Sequence, residues 1–132
     1  MLNIISTPLS SMFTSFPFQG RSFDYMQFGD TYLFQDFDIS NMGLTTLVGL
    51  PENMLVFGNF DCSENKLISL RGLPNKLHVK GNFCCQNNMI RYLDHFPDDC
   101  EIGGNLYCWG NPIVRLDDLP DSIRRTHTIR KG

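Results

Sequence analysis

The sequence has no apolar run that approaches the ~20 residues of a membrane-spanning helix, so a membrane span is not expected. Its first eight residues, MLNIISTP, carry no cationic or sustained apolar stretch, so a secretory signal is not expected either. Acids outnumber bases by 14 to 11, which argues against a protein-wide attraction for nucleic acid. The apolar share of 42% excludes wholesale disorder, and 132 residues suffice for one domain with its own core.

The five cysteines lack the paired spacing, two to four residues apart, that zinc sites use. Cys62, Cys85 and Cys108 instead recur at one constant interval, where they are expected to act as small buried apolar groups. An odd count without paired spacing indicates reduced thiols and a cytoplasmic location. We expect neither a metal nor a cofactor.

Catalysis is not expected, because the sequence offers few groups that could act together. Cys84 and His95 are the one tempting nucleophile and base, and the repeat described below puts them on different sides of a coil. No glycine-rich elbow or phosphate loop accompanies them. The acid pairs at 98–99 and 117–118 fall in or near expected turns and are interpreted as solvated surface.

A repeat with a period of 23 is the strongest pattern in the chain. Gly-Asn followed by an apolar residue recurs at 58, 81 and 104, which gives four units, 35–57, 58–80, 81–103 and 104–126. Four of the seven prolines fall in one column of the repeat. Two columns illustrate the agreement: Phe37, Phe60, Phe83, Leu106, and Pro51, Pro74, Pro97, Pro120.

Within each unit the spacing of the apolar residues changes from two to three, and this change predicts one coil of a solenoid. Phe60 and Cys62 alternate with polar residues, which indicates a strand with one buried face. Leucines three apart follow at 67, 70 and 73, which suits a tight turn, and proline then blocks a helix. One coil cannot enclose its apolar side chains, so stacked coils are expected to cover one another. The glycines at 58, 81 and 104 are expected at bulges or corners.

Asparagines at 65, 88 and 111 occupy one column just after the strand. An amide can both donate and accept hydrogen bonds, so these side chains are expected to form a ladder that satisfies the backbone of neighbouring coils. The alternative is that they are surface turn residues. The first unit has Met42 in this column and Asn41 one place early, which predicts a distortion or a register shift of one residue.

The repeat resembles the leucine-rich-repeat family. The run FGNFDCSENKL, residues 57–67, follows that family's L-x-x-L-x-L-x-x-N/C-x-L pattern. The element LPNKL, residues 73–77, looks like the short repeats of bacterial type III secreted effectors, and the Gly-Asn-Phe run is similar to repeats of bacterial and phage proteins. The resemblance implies an α/β leucine-rich-repeat-like solenoid, strand-rich with little helix, made of four 23-residue coils and an N-terminal cap.

The two ends of the chain differ from the repeats. Residues 1–34 are interpreted as the N-terminal cap, with a short helix over 9–16 and a hairpin from Ser22 to Phe34 around the turn Gly29-Asp30. Six of the eleven phenylalanines lie there and are expected to pack the cap, with a phenylalanine-rich binding groove as the alternative. Residues 127–132 are interpreted as a basic tail.

Side chains that project outward from the first strand of each unit are the candidate binding residues. They should form two rows, Asp38, Asp61, Cys84, Tyr107 and Ser40, Ser63, Gln86, Trp109, with Asp36 nearby. Tyr and Trp are enriched at interface hot spots; the alternative is that the C-terminal tail covers these two or that they belong to the end cap. The expected function is a non-enzymatic protein-binding module, and the resemblance suggests a phage- or pathogen-encoded inhibitor or modulator of a host protein.

Two other functions stay open. Arg124, Arg125, Arg130 and Lys131 carry four positive charges without an acid, and could contact an acidic partner, a phosphate or nucleic acid. The alternative is a solvated, frayed terminus. A self-assembling structural protein is the third interpretation, and the chain is expected to be a monomer or a homodimer.

Overall fold

The computed structural model describes residues 14–124 and 129–130. Within these ranges the chain forms eleven short strands and one helix of four residues. In chain order they are β1 (Thr14–Phe18), β2 (Arg21–Phe28), β3 (Thr31–Phe34), β4 (Phe37–Asp38), β5 (Asn53–Val56), β6 (Phe60–Asp61), β7 (Lys76–Val79), β8 (Phe83–Cys84), β9 (Glu101–Ile102), β10 (Leu106–Tyr107), α1 (Asp121–Arg124) and β11 (Ile129–Arg130). The protein is therefore strand-rich, as expected.

The strands form two sheets that wind as a β-solenoid of about three turns. Sheet 1 has the order β1-β2-β3-β5-β7-β9, and sheet 2 has the order β11-β10-β8-β6-β4. In sheet 2 the parallel register pairs Phe37 with Phe60, Phe60 with Phe83, and Phe83 with Leu106, so each step along the stack is one period of the repeat. The predicted spacing is confirmed, and equivalent side chains do lie on top of one another.

Aromatic rings run through the core along the stacking direction. The ring of Phe60 lies between those of Phe37 and Phe83, with centroid distances of 5.5 and 4.9 Å. Phe60 and Phe83 are almost parallel, with 3° between their planes. All three side chains are fully buried, as is Leu106 beyond them. One column of the repeat thus forms a continuous dry spine, which is what stacked coils need to bury their apolar faces.

The asparagine ladder is present as expected. The Asn88 side-chain oxygen accepts a hydrogen bond from the Leu67 backbone N–H at 3.0 Å, and its amide nitrogen donates to the Cys62 carbonyl at 3.0 Å. Asn65 and Asn111 make equivalent bonds to the preceding coil, at 2.9 to 3.0 Å. Each amide therefore satisfies donors and acceptors that the bend removes from the strand ladder.

The first unit keeps the register of the others, so the expected distortion at Met42 is wrong. The Asn41 N–H donates to the Ser63 carbonyl at 3.1 Å, as the Glu64 N–H does to the Gln86 carbonyl one coil later. Met42 needs no amide because Asn65 of the next coil accepts the Met42 N–H at 2.9 Å. The side-chain oxygens of this ladder accept only from the preceding unit. An asparagine at position 42, in the first unit, would therefore have no preceding unit to bond.

A second ladder, which was not predicted from the sequence, explains the Gly-Asn pair. Side-chain oxygens of Asp36, Asn59 and Asn82 each accept the backbone N–H of the residue 23 positions later, at 2.8 Å. The glycine that precedes each donor N–H lies at the corner between the sheets, where a Cβ on Gly81 would meet the Gly58 carbonyl oxygen at 2.6 Å and overlap the Asn59 side chain. Glycine is thus required because the amide of the neighbouring coil occupies that space.

A left-handed backbone conformation recurs at the opposite corner. Asn41, Glu64, Asn87 and Gly110 have φ angles of 53, 56, 58 and 69°, and each is one repeat period from the next. Non-glycine residues adopt this conformation at a cost, and asparagine tolerates it best. The chain therefore turns at the same position of the repeat each time, with glycine or asparagine at three of these four positions.

Alanine at Gly110 is expected to destabilise the protein more than alanine at Gly43, which has the same φ of 69°. A Cβ at Gly43 would meet nothing within 4 Å, so only the left-handed backbone is penalised, by about 1–2 kcal/mol. A Cβ at Gly110 would also overlap the side-chain amide of exposed Asn87 and lie 3.2 Å from its Cα, so that side chain must move and a further loss is expected. Urea unfolding of the two variants measures the difference, and equal losses would contradict the contact.

The two ends of the stack are closed differently. At the N-terminal end β2 and β3 form an antiparallel hairpin that packs aromatic rings against the first coil, with Phe23 and Phe37 centroids 4.6 Å apart. Residues 9–13 of the expected helix lie outside the described residues, and 14–16 belong to β1 rather than to a helix. At the other end the Ser122 hydroxyl of α1 donates to the Cys100 carbonyl at 2.7 Å, which covers the edge of β9.

The chain after α1 adds a further strand to sheet 2. Ile129 pairs with Leu106 and Arg130 with Tyr107, in the same parallel register and again one repeat period away. Residues 129–130, placed in the basic tail on the sequence, are thus part of a sheet. The frayed-terminus interpretation is wrong for these two residues.

Candidate functional site

The outward row of sheet 2 lies as the repeat predicts. Asp38 pairs with Asp61, Asp61 with Cys84, and Cys84 with Tyr107, so the four side chains form one line across the stack. Asp38 is exposed and the other three are half-buried. Arg130 continues the line beyond Tyr107 in the strand register. Along the row of described side chains the residues therefore change from acidic to aromatic.

The two carboxylates of this row are held by their own turns. One oxygen of Asp38 accepts from the Ser40 hydroxyl at 2.6 Å and from the Ser40 N–H at 3.0 Å, and Asp61 holds Ser63 with the same distances. These bonds from Ser40, with the charge of Arg21 as a lesser cause, keep the pKa of the Asp38 carboxyl below its usual value. Asp38 thus presents fixed negative charge at neutral pH.

The second row does not face solvent along its whole length. Ser63 is only 5% exposed, so the expectation that this row faces solvent is wrong at Ser63, although its hydroxyl still bonds the Asp61 carboxylate of the first row. Gln86 is half-buried, and its side-chain oxygen is enclosed without a hydrogen-bond partner. A buried carbonyl oxygen without a donor costs free energy, which a donor from a bound partner would recover.

Tyr107 and Trp109 form an aromatic pair at the end of this face. Their ring centroids are 5.3 Å apart with the planes at 62°, an edge-to-face arrangement. The Asn105 amide donates to the Tyr107 hydroxyl at 3.0 Å, which fixes that ring. Both side chains remain half-exposed beside the described part of the C-terminal segment.

The remaining candidate residues lie apart from this face or outside the described residues. Asp36 is exposed, begins the second ladder by accepting the Asn59 N–H, and lines a cavity beside sheet 1. Arg124 ends α1 and Arg130 lies in β11. Arg125 and Lys131 lie outside the described residues. The structure therefore brings together Asp38, Asp61, Gln86, Tyr107 and Trp109, but not Asp36.

The surroundings of the thiols disfavour nucleophilic chemistry. All five cysteines are free, and burial, with the charges of Asp61 and Asp38 in addition, raises the pKa of the Cys84 thiol to about 11. A nucleophilic cysteine needs the opposite, a lowered pKa. His95 lies 3.7 Å from the Asp94 carboxylate, its neighbour in the chain. Among the described residues, no group of three or more His, Cys, Asp or Glu side chains is placed to hold a metal ion.

A second candidate site, for which the sequence offered only the alternative of a phenylalanine-rich groove in the cap, lies on the outer face of sheet 1. There Met26, Leu33, Leu55, His78 and Glu101 form a row across five strands. The row runs beside a cavity of about 410 Å³ near β2 and β3 and another of about 320 Å³ near β5 and β7. In β3 and β5 the outward Leu33 and Leu55 alternate with the buried Phe34 and Met54. Because both faces of these strands are apolar, the sequence pattern does not show which face points outward.

Comparison of the chain with protein-family models, with curated proteins and with solved structures gave no match. Among residues 14–124 and 129–130, no helix combines the length and the apolar character needed to cross a membrane. The case for a function therefore rests on the geometry of the two faces.

Proposed function

We propose that the protein is a non-enzymatic protein-binding module, and that its partner contacts the outer face of sheet 2. In this proposal the four sequence units act as four leucine-rich-repeat-like coils, each of which adds one strip of surface. The resemblance to effector and phage repeats favours a modulator or inhibitor of a host protein in the cytoplasm. The observation that carries the proposal is the line of Asp38, Asp61, Cys84 and Tyr107 across neighbouring strands.

The chemistry of this face suits a partner with a basic patch beside an apolar or hydrogen-bonding one. Asp38 and Asp61 lie in adjacent strands, and strands in a sheet are about 4.8 Å apart, so two negative charges are concentrated at one end. The aromatic pair at the other end supplies large rigid contact area, the kind found at interface hot spots. Acids and aromatics at fixed places give both orientation and affinity.

Affinity capture from the native cell, followed by mass spectrometry, supplies the partner for a quantitative test. Against that purified partner, the double variant Asp38→Asn, Asp61→Asn should bind about tenfold or more weakly at low salt, with a smaller difference at high salt. Asn keeps the oxygen that accepts from the serine, so the turns should survive. Trp109→Ala should weaken binding at every salt concentration.

Asp94→Asn is the control, since it removes an exposed acid that lies outside the strands of sheet 2. Equal binding by the double variant and the parent across salt concentrations would refute the acidic contact. Capture of nucleic acid, lost in Arg130→Gln with steep salt dependence, would favour the basic-segment alternative instead. Substitution is preferable to deletion here because Arg130 lies in β11.

A further inference from the structure

The cavity of about 410 Å³ lies beside the N-terminal hairpin, away from the sheet-2 face used above. Its apolar lining includes Phe34, which is buried, and Met26 and Phe57, which are 36% and 43% exposed. A volume of this size falls within the range of ~300–1,000 Å³ that ligand pockets occupy. Two exposed large apolar side chains, Met26 and Phe57, thus meet at this concavity.

Two carboxylates accompany these apolar groups. Asp24 projects from β2 and Asp36 follows β3, and both line the cavity and are exposed. One oxygen of Asp36 accepts the Asn59 N–H at 2.8 Å. Of the residues that the structure describes in the lining, none is basic. The pocket therefore combines an apolar interior with negative charge.

Two cationic side chains of the protein itself lie against aromatic rings of this cavity. The guanidinium carbon of Arg21 lies 5.0 Å from the centroid of the Phe23 ring, and the Lys80 ammonium lies 5.8 Å from that of Phe57. Phe23 and Phe57 both line the cavity. Such distances are those of cation–π attraction. Residues 1–65 contain seven acids and a single base, so the region carries a surplus of negative charge that its own cations do not balance.

We propose that this cavity binds an arginine side chain presented by a peptide segment of a partner. The guanidinium would pair with Asp24 and Asp36, and its planar face suits stacking on Phe57. The aliphatic stem would pack on Met26 and Leu33, as long cationic side chains do on apolar surface. Arginine is favoured over lysine because a planar fork can serve two carboxylates and a ring together. This site is independent of the sheet-2 face.

The test uses the full chain and the capped tripeptide acetyl-Leu-Arg-Leu-amide, with binding followed by NMR of methyl-labelled methionine. The Met26 methyl signal, assigned with Met26→Leu, should shift saturably with the arginine peptide. The same peptide with citrulline, which is neutral and nearly the same shape, should bind at least about tenfold more weakly. The lysine peptide should bind with intermediate affinity.

Asp24→Asn combined with Asp36→Asn should weaken the arginine peptide by about tenfold or more and leave the citrulline peptide unchanged. Asparagine at 36 keeps the ladder, since Asn59 and Asn82 do the same work in the next coils. Asp94→Asn is the control for the loss of an acid elsewhere on the surface. Lys80→Gln frees the face of Phe57 and should strengthen binding.

Equal affinity for the arginine and citrulline peptides would overturn the proposal, and this comparison needs no variant to fold. An equal loss in Asp94→Asn would also overturn it, since the attraction would then be general. Binding that appears only after removal of residues 1–13 would show the chain's own N-terminus to be the occupant, again against the proposal. Loss here with intact sheet-2 binding, or the reverse, separates this site from the proposed function.

Discussion

Alanine in place of Asn65 is expected to lower the free energy of unfolding by about 3–5 kcal/mol, since each buried backbone group left without a partner costs ~1–3 kcal/mol. The Asn65 oxygen accepts the N–H groups of Met42 and Leu44 at 2.9 and 3.0 Å. Its amide nitrogen lies 2.9, 3.0 and 3.1 Å from the carbonyl oxygens of Ile39, Cys62 and Ser63. A methyl group can replace none of these bonds, so one substitution affects two coils together.

Asn65→Asp separates hydrogen bonding from packing. Aspartate has nearly the shape of asparagine, but it would place carboxylate oxygens against backbone carbonyls and supply no donor. At neutral pH it should therefore destabilise at least as much as alanine. Asn75, which is exposed, provides controls: Asn75→Ala and Asn75→Asp should change stability by less than about 0.5 kcal/mol. Urea unfolding measures all four, and a neutral Asn65→Asp would show that shape alone matters.

Alanine in place of Phe60 is expected to cost about 3–5 kcal/mol, the usual range for a buried phenylalanine. Phe60 is fully buried between two other phenylalanine rings of the spine. Because both neighbours are themselves fixed by stacking, the space should close only partly, which favours the upper end of the range. The measurement is again the free energy of unfolding in urea.

Phe28 is the matched control for this prediction, since the same substitution removes a ring that is 79% exposed. Phe28→Ala should change stability by less than about 0.5 kcal/mol. Phe60→Leu should cost less than Phe60→Ala, because it restores most of the lost volume and leucine already occupies this column at position 106. If Phe60→Ala and Phe28→Ala were equally mild, the rings would not form a stabilising spine.

The repeat made much of this fold predictable because its columns constrain one another. Phe37, Phe60 and Phe83 recur at one interval, and a parallel in-register stack is the arrangement that gives them all the same environment. The ladder at 65, 88 and 111 could be predicted for the same reason, since an amide repeated beside inward columns has a physical use there. The period of the repeat thus predicted which residues, distant in sequence, lie against one another.

Other features could not be predicted because they depend on distances between coils. No role for Asn59 could be predicted from its own coil, and only the 2.8 Å bond from its side-chain oxygen to the next coil shows why glycine precedes each asparagine. Ser63 is 5% exposed in an inner coil, whereas Ser40 of the first coil, which makes the same bond to its aspartate, stays half-buried. The arginine pocket depends on how the hairpin strand β2 lies against the first coil, and that hairpin has no counterpart in the repeat from which a position could be read.

The constant interval of the second ladder also bears on how such a protein could change length. Each rung bonds to the rung 23 positions away, so a gain or loss of one whole unit would preserve every type of contact. An insertion of any other size within a coil would have to bulge outward or break both ladders at once. The length of the stack can therefore change in steps of one coil, while the hairpin at one end and α1 at the other stay the same.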